Sequence, residues 1–191
     1  MTRPVRRFVP RLASTAALLF AVQASPSSTH SEPVPEVRAV RLSTRPTLDG
    51  VLDEAVWREA PAATDFRQSQ PNEGEAATQR TEVRFAYDDE ALYIGARMYD
   101  DEGAAGVRTR LVRRDAAVDS DELTIIFDTY RDHLGRTQFT INPSGVKGDA
   151  LGPGGSNPDP SWDPVCEVAT QIESLGWTAE RRLPVSQLRI P

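Results

Sequence analysis

Carboxylates are the side chains that this sequence carries in clusters. Asp88, Asp89 and Glu90 fall together in one turn, Asp100, Asp101 and Glu102 follow the next apolar stretch, and Asp128 stands near Asp132. Such groups suit a hard cation, because Ca2+ takes six to eight oxygens at short range. The D-x-D-x-D-G series with a trailing glutamate is missing, so a site would have to be assembled from separate loops. Asp88, Asp89, Asp100, Asp128 and Asp132 are the candidates for a structural calcium. The plainer alternative is that all are solvated turn carboxylates.

Other chemistry finds few residues. The histidines are His30 and His133, in a Ser/Pro stretch and in a turn. No serine stands in a G-x-S-x-G elbow, no His/Cys group has zinc spacing, and no phosphate-cradling glycine loop opens a helix. Two carboxylates a few ångströms apart suffice for a glycosidase, so an acid-rich chain does not exclude one, although such pairs belong to deep clefts of larger folds. Cys166 is the single cysteine, which rules out an internal disulfide. It alternates with Val168 and Ile172 and reads as a small buried hydrophobe. Trp57 and Trp177 lie in apolar patterns and read as core. Trp162 lies instead in a Gly/Pro/Asn/Asp loop, Gly152–Asp163.

These residues must be positioned by strands. Thr81–Glu102 contains two alternating arms around Asp88-Asp89-Glu90. Thr81, Val83, Phe85 and Tyr87 share one face with Glu82 and Arg84 opposite; Leu92, Ile94, Ala96 and Met98 oppose Tyr93, Arg97 and Tyr99. Period-two alternation in both arms predicts an antiparallel hairpin. Further strands are predicted at Val37–Leu42, Phe66–Gln70, Glu122–Tyr130 and Thr137–Asn142, with a second hairpin from Val165–Ile172 and Trp177–Leu183. Leu48–Ala60 opens on an Asp-Gly turn and changes to helical spacing, with Asp53 as N-cap and Pro61 as stop. Pro184–Leu188 reads as one helical turn, and Gly103–Ser120 carries no clear pattern. At least seven short strands with turns between them predict an all-β antiparallel sandwich, immunoglobulin- or jelly-roll-like, with one or two short helices. A further strand is expected after Leu188, whereas the chain stops at Ile190-Pro191, as in a fragment of a longer protein.

The first residues stand apart. Arg3, Arg6, Arg7 and Arg11 form a basic head before the apolar run Leu12–Val22, and Val22-Gln23-Ala24 offers a small-residue cleavage site. Residues 1–24 therefore read as an export signal, the run being too short to span a bilayer comfortably. The expected location is the periplasm, the outer envelope or the extracellular space, with no membrane-spanning segment left after cleavage. Residues 25–36 form a Ser/Pro linker with nothing to bury, expected to be disordered. The domain is expected over residues 37–191. The whole chain carries a net charge of −6. Removing residues 1–24 takes away four arginines and no acids, which leaves −10 and disfavours nucleic acid and anionic lipid as partners.

Several phrases occur in order: LDGVLDEAVW (48–57), TEVRFAYDDEALYIGARMYD (81–100), RRD (113–115), DELTIIFDTYRD (121–132), FTINPSGVKGDAL (139–151), SWD (161–163) and GWTAERRLPVSQLRI (176–190). Together they resemble the family-9 carbohydrate-binding modules, in the version that heads large bacterial envelope proteins. The resemblance implies a β-sandwich that binds oligosaccharide or polysaccharide without catalysis, sits beside glycoside hydrolases, and in some members holds structural calcium. It implies sugar contacts by an aromatic platform and planar polar groups, here Trp162 with Arg113, Arg114, Asn142 and Tyr99. Arg113-Arg114-Asp115 equally suits an internal ion pair at a loop corner, and Trp162 equally suits a cover for the sandwich edge. The different-class alternative is a structural domain that docks on an envelope protein and binds no sugar.

Overall fold

The computed structural model describes residues 35–115, 119–153 and 158–188. The expected signal segment, the linker up to residue 34 and the expected final strand lie outside them. Strand β1 spans Val40–Arg41, helix α1 Ala55–Glu59, β2 Thr81–Tyr87 and β3 Ala91–Tyr99. Then follow β4 (Leu123–Phe127), β5 (Gly135–Ile141), β6 (Lys147–Pro153), β7 (Glu167–Glu173) and β8 (Gly176–Pro184). They form a five-stranded sheet in the order β1-β2-β3-β8-β7 and a three-stranded sheet in the order β4-β5-β6. The pairs are antiparallel except β1 with β2, which is parallel and two residues long. The expected all-β sandwich is the fold observed. Among the described residues no helix is long and apolar enough to cross a membrane.

The two sheets meet through the residues that alternation pointed inward. Val83 of β2, Ile94 and Ala96 of β3, Phe139 of β5 and Leu183 of β8 form one buried cluster, closed by Cys166 and Leu188. Cys166 is thus buried as read from its strand pattern, and burial pushes its thiol pKa up. The far face of the large sheet is also covered. Trp57, Ala86, Ala91 and Tyr93 pack there with Leu42, Leu52 and Val56. Tyr93 is therefore buried rather than an outward ring, because α1 and the segment before it lie over that face.

Local rules decide where the elements depart from expectation. Lys147–Pro153 is a strand that its sequence conceals: Gly148 and Gly152 interrupt any alternation, and the ladder comes from β5, with Phe139 opposite Asp149. Phe66–Gln70 forms no strand; Arg67 makes an isolated bridge to Ala76. The first strand shrinks from Val37–Leu42 to two residues. Helix α1 is N-capped at Glu54 without a side-chain bond, so Asp53 is not the cap. It ends at Ala60, whose extended backbone (φ −66°, ψ 129°) is what a following proline demands. Among the described residues of Gly103–Ser120 one 3-10 turn forms, at Gly103–Ala105, and Val185–Gln187 makes the expected last turn.

Candidate functional site

The outer face of the small sheet gathers polar side chains. In β5 Thr137, Phe139 and Ile141 are buried, so Gln138 and Thr140 point the other way. Register sets Thr140 between Thr124 and Gly148, and Gln138 between Ile126 and Ala150. The Thr124 and Thr140 hydroxyls share a hydrogen bond of 3.0 Å. Small residues on β6 leave the amide and hydroxyl of β5 uncovered on that side. A groove of about 250 Å³ opens here, walled by Asp115 and Glu122 and by Pro158 and Pro160. Desolvation by the groove raises the Glu122 carboxyl above its usual range, although the residue stays exposed. The Lys147 ammonium is turned to the Cys166 carbonyl at 3.3 Å. The groove thus offers planar hydrogen-bonding groups, and among the described residues no metal-holding group forms there.

One arginine holds the groove's walls. Arg114 Nη2 donates to Asp149 Oδ2 at 2.5 Å, Nη1 pairs with Asp163, and Nε stands 3.7 Å from Asp115. Asp115 in turn accepts the Asp149 N–H at 2.8 Å. Burial disfavours the Arg114 charge, but Asp149, Asp163 and Asp115 outweigh it and raise its pKa. Asp149 is 3 % exposed, and burial raises its pKa against the pull of Arg181 and Arg114. Arg181, buried to the same degree, donates to the Thr140 carbonyl at 3.0 Å and lies 5.2 Å from the Phe139 ring centre. The ion-pair reading of Arg113-Arg114-Asp115 is therefore realised at Arg114, while Arg113 is exposed.

The remaining candidates scatter. Trp162 is half-buried and meets Phe139 edge-on, centroids 5.6 Å apart, so its ring packs on the sandwich core. Asn142 is buried and engaged at both ends of its amide: the nitrogen donates to the Arg110 carbonyl at 2.8 Å, and the oxygen accepts the N–H groups of Ser144 and Val146. Tyr99 alternates with the inward Met98, so it lies on the opposite face of the large sheet from Trp162. Arg80 covers its ring at 4.7 Å. Gln138 and Thr140 were legible as the outward partners of Phe139 and Ile141; Glu122 and Asp115 carried no signal beyond their charge.

The candidate calcium ligands are not brought together. Asp88 accepts the N–H groups of Glu90 and Ala91, the Tyr93 hydroxyl and Arg45. Burial would raise its pKa, but these donors hold it at about 2. Asp89 pairs with Arg41, and Asp100 caps its own turn through the Glu102 N–H. Asp128 and Asp132 accept backbone N–H groups of the β4–β5 turn, which lowers the Asp128 pKa. Three separate turns thus occupy these oxygens, and among the described residues no three His, Cys, Asp or Glu side chains form a metal-holding group. The five acids do not fit a shared calcium.

The family described as carbohydrate family 9 binding domain-like matches residues 48–191. No curated protein sequence matches the chain. Among solved structures, a carbohydrate binding module of family 9 from Caldicellulosiruptor kristjanssonii in complex with cellotriose is similar, with 17% identity and a TM-score of 0.54 over 78% of this chain and 68% of that one. The same source's module in complex with glucose matches at 18% identity and a TM-score of 0.54, over 81% and 71%. A Bacteroides uniformis protein matches at 12% identity and a TM-score of 0.60, over 78% and 72%. At these identities the likeness establishes the fold, while the family match spans most of the sequence. The chain belongs to the carbohydrate family 9 binding domain-like family, a family of non-catalytic binding modules.

Proposed function

We propose that this chain is an exported module that binds oligosaccharide or polysaccharide without catalysis, through the outer face of β4-β5-β6, as an accessory to polysaccharide breakdown. The observation that carries the reading is the groove itself, in which Gln138, Thr140 and Glu122 face a common space between an acidic and a proline wall. An amide, a hydroxyl and a carboxyl placed so are groups that pair with vicinal sugar hydroxyls. The similar structures with cellotriose and glucose support gluco-configured chains as the ligand class. Arg114 and Asn142 act on this site by fixing its loops, and Trp162 packs on Phe139 at the core side of the sheet. The basic head and apolar run of residues 1–24 support export.

Titration of the chain with cello- and xylo-oligosaccharides, followed by tryptophan fluorescence, tests the reading. A saturable change is expected, weakened at least tenfold by Gln138→Ala with the far-ultraviolet circular dichroism unchanged. A folded protein that ignores every sugar tried overturns the reading in favour of the docking role.

A further inference from the structure

Before β2 begins, the chain doubles back beside the large sheet: Ala63 bridges to Val83 and Arg67 to Ala76. A cleft of about 420 Å³ opens at this corner, lined by Thr64, Asp65, Phe66, Gln79, Arg80 and Thr81. Three features set it apart from an ordinary surface dent. Phe66 is 41 % exposed, although no glycine or proline beside it forces a ring outward. Asp65 sits at φ 57°, a left-handed conformation that costs a non-glycine residue some energy, though aspartate less than most. The Arg80 guanidinium is held in place from two sides. It stacks over Tyr99 and pairs with Glu82, a buried carboxylate that Arg84 also holds at 2.8 Å, yet the Arg80 side chain remains 66% exposed.

An exposed ring beside a carboxylate, an amide and an oriented guanidinium is a set that suits a polyol ring. The aromatic face takes the C–H groups, and the planar side chains take neighbouring hydroxyls in forked hydrogen bonds. Asp65 and Arg80 balance in charge, so the cleft suits a neutral ligand. We propose that this cleft is a second glycan subsite for neutral sugars, with Phe66 as platform, Asp65, Gln79 and Arg80 as hydroxyl partners, and Tyr99 as the residue that positions Arg80. The inference rests on the reading that the module binds sugar. It shares no residue with the groove, which lies on the other sheet. Two subsites on one small module would raise its hold on a long polymer by effective concentration, without raising its affinity for a short one.

Calorimetric titration of the full chain with cellotriose distinguishes the two sites. Two equivalents are expected. Phe66→Ala and Arg80→Ala each weaken one equivalent at least fivefold, while Gln138→Ala weakens the other. Asp65→Gly separates binding from backbone strain: it should raise the melting temperature and still weaken the second equivalent. A higher melting temperature with unchanged binding would mean that Asp65 takes no part, and unchanged binding in Phe66→Ala and Arg80→Ala as well overturns the subsite. A single equivalent lost in Gln138→Ala but kept in Phe66→Ala and Arg80→Ala overturns this proposal and leaves the groove reading intact. A single equivalent with the reverse pattern overturns the groove and leaves the cleft. No binding of cello- or xylo-oligosaccharide at all overturns both.

Discussion

The Trp57 indole N–H donates to Glu180 Oε1 at 2.9 Å, and the other oxygen of that carboxylate accepts the backbone N–H groups of Asp49 and Gly50 at 3.0 and 2.9 Å. One fully buried side chain on β8 thereby anchors both the Asp-Gly turn and the helix that cover the far face of the large sheet. The phrases LDGVLDEAVW and GWTAERRLP, far apart in sequence, are two halves of one contact. Gly50 suits its place because its φ is 88° and a β-carbon would come within 2.7 Å of the Thr170 carbonyl carbon.

Among the described residues no cation pairs with Glu180. Burial, aided by Glu54, outweighs the three donors and lifts its pKa to about 7 from an ordinary 4.5. The native state therefore keeps a proton that the unfolded chain has lost between those values. Stability contributed by the protonated form is full below pH 4.5 and declines as pH rises to about 7, by up to about 3 kcal/mol. Urea denaturation at pH 5 and pH 8 should show this fall, and Glu180→Gln should remove most of the slope. The same variant should cost about 1–3 kcal/mol at pH 5, because its amide nitrogen would face N–H donors.

Gly95 lies under the Trp57 ring, and a β-carbon there would stand 2.8 Å from Cε3 of the indole. Gly95→Ala should destabilise the domain by about 1–3 kcal/mol through overpacking. It should also shift tryptophan emission to the red as Trp57 lifts from the sheet. Unchanged emission and an unchanged urea midpoint would contradict this contact.

Arg114→Ala leaves Asp149 buried beside Arg181, whose Nη2 is 4.0 Å away. Removing one partner from a buried ion pair typically costs about 3–5 kcal/mol, and the partial exposure of Arg114 places the expected loss at the lower end. Arg114→Lys should recover little, since one ammonium cannot reproduce a fork that reaches Asp149 and Asp163 together. Denaturant midpoints check both variants. Sugar titration of the folded fraction should show weakened groove binding.

Asp88 sets the acid limit of the β2–β3 hairpin. Its pKa of about 2, below an ordinary 3.8, adds stability that is complete above about pH 4 and is lost as pH falls through 2. Asp88→Asn should reduce stability at neutral pH by about 1–2 kcal/mol, with a shallower loss in acid, as followed by circular dichroism.

Much of the sandwich was legible because half-buried strands write their burial as period-two alternation. Thr81–Tyr87 and Ala91–Tyr99 are the clearest cases: inward Val83, Ile94 and Ala96 appear in the core as expected. Trp177 is buried by the same alternation, and Trp57 by the helical spacing of Leu48–Ala60. Lys147–Pro153 was hidden because β6 owes its conformation to the ladder with β5, and nothing in K-G-D-A-L-G-P favours a strand by itself.

Alternation, turn residues and the ordered family phrases are local properties, and they determined most of the strands, the all-β class and the family. What each polar residue does was decided by the tertiary structure. Arg114, Asn142 and Asp88 are rich in hydrogen-bonding capacity, and sequence alone leaves open whether that capacity faces a ligand or the protein. Packing turned all three inward, onto Asp149, the β5–β6 turn and the β2–β3 turn. It left Gln138 and Thr140 facing the groove, because a buried polar group must find its partner inside the fold and an outward one need not.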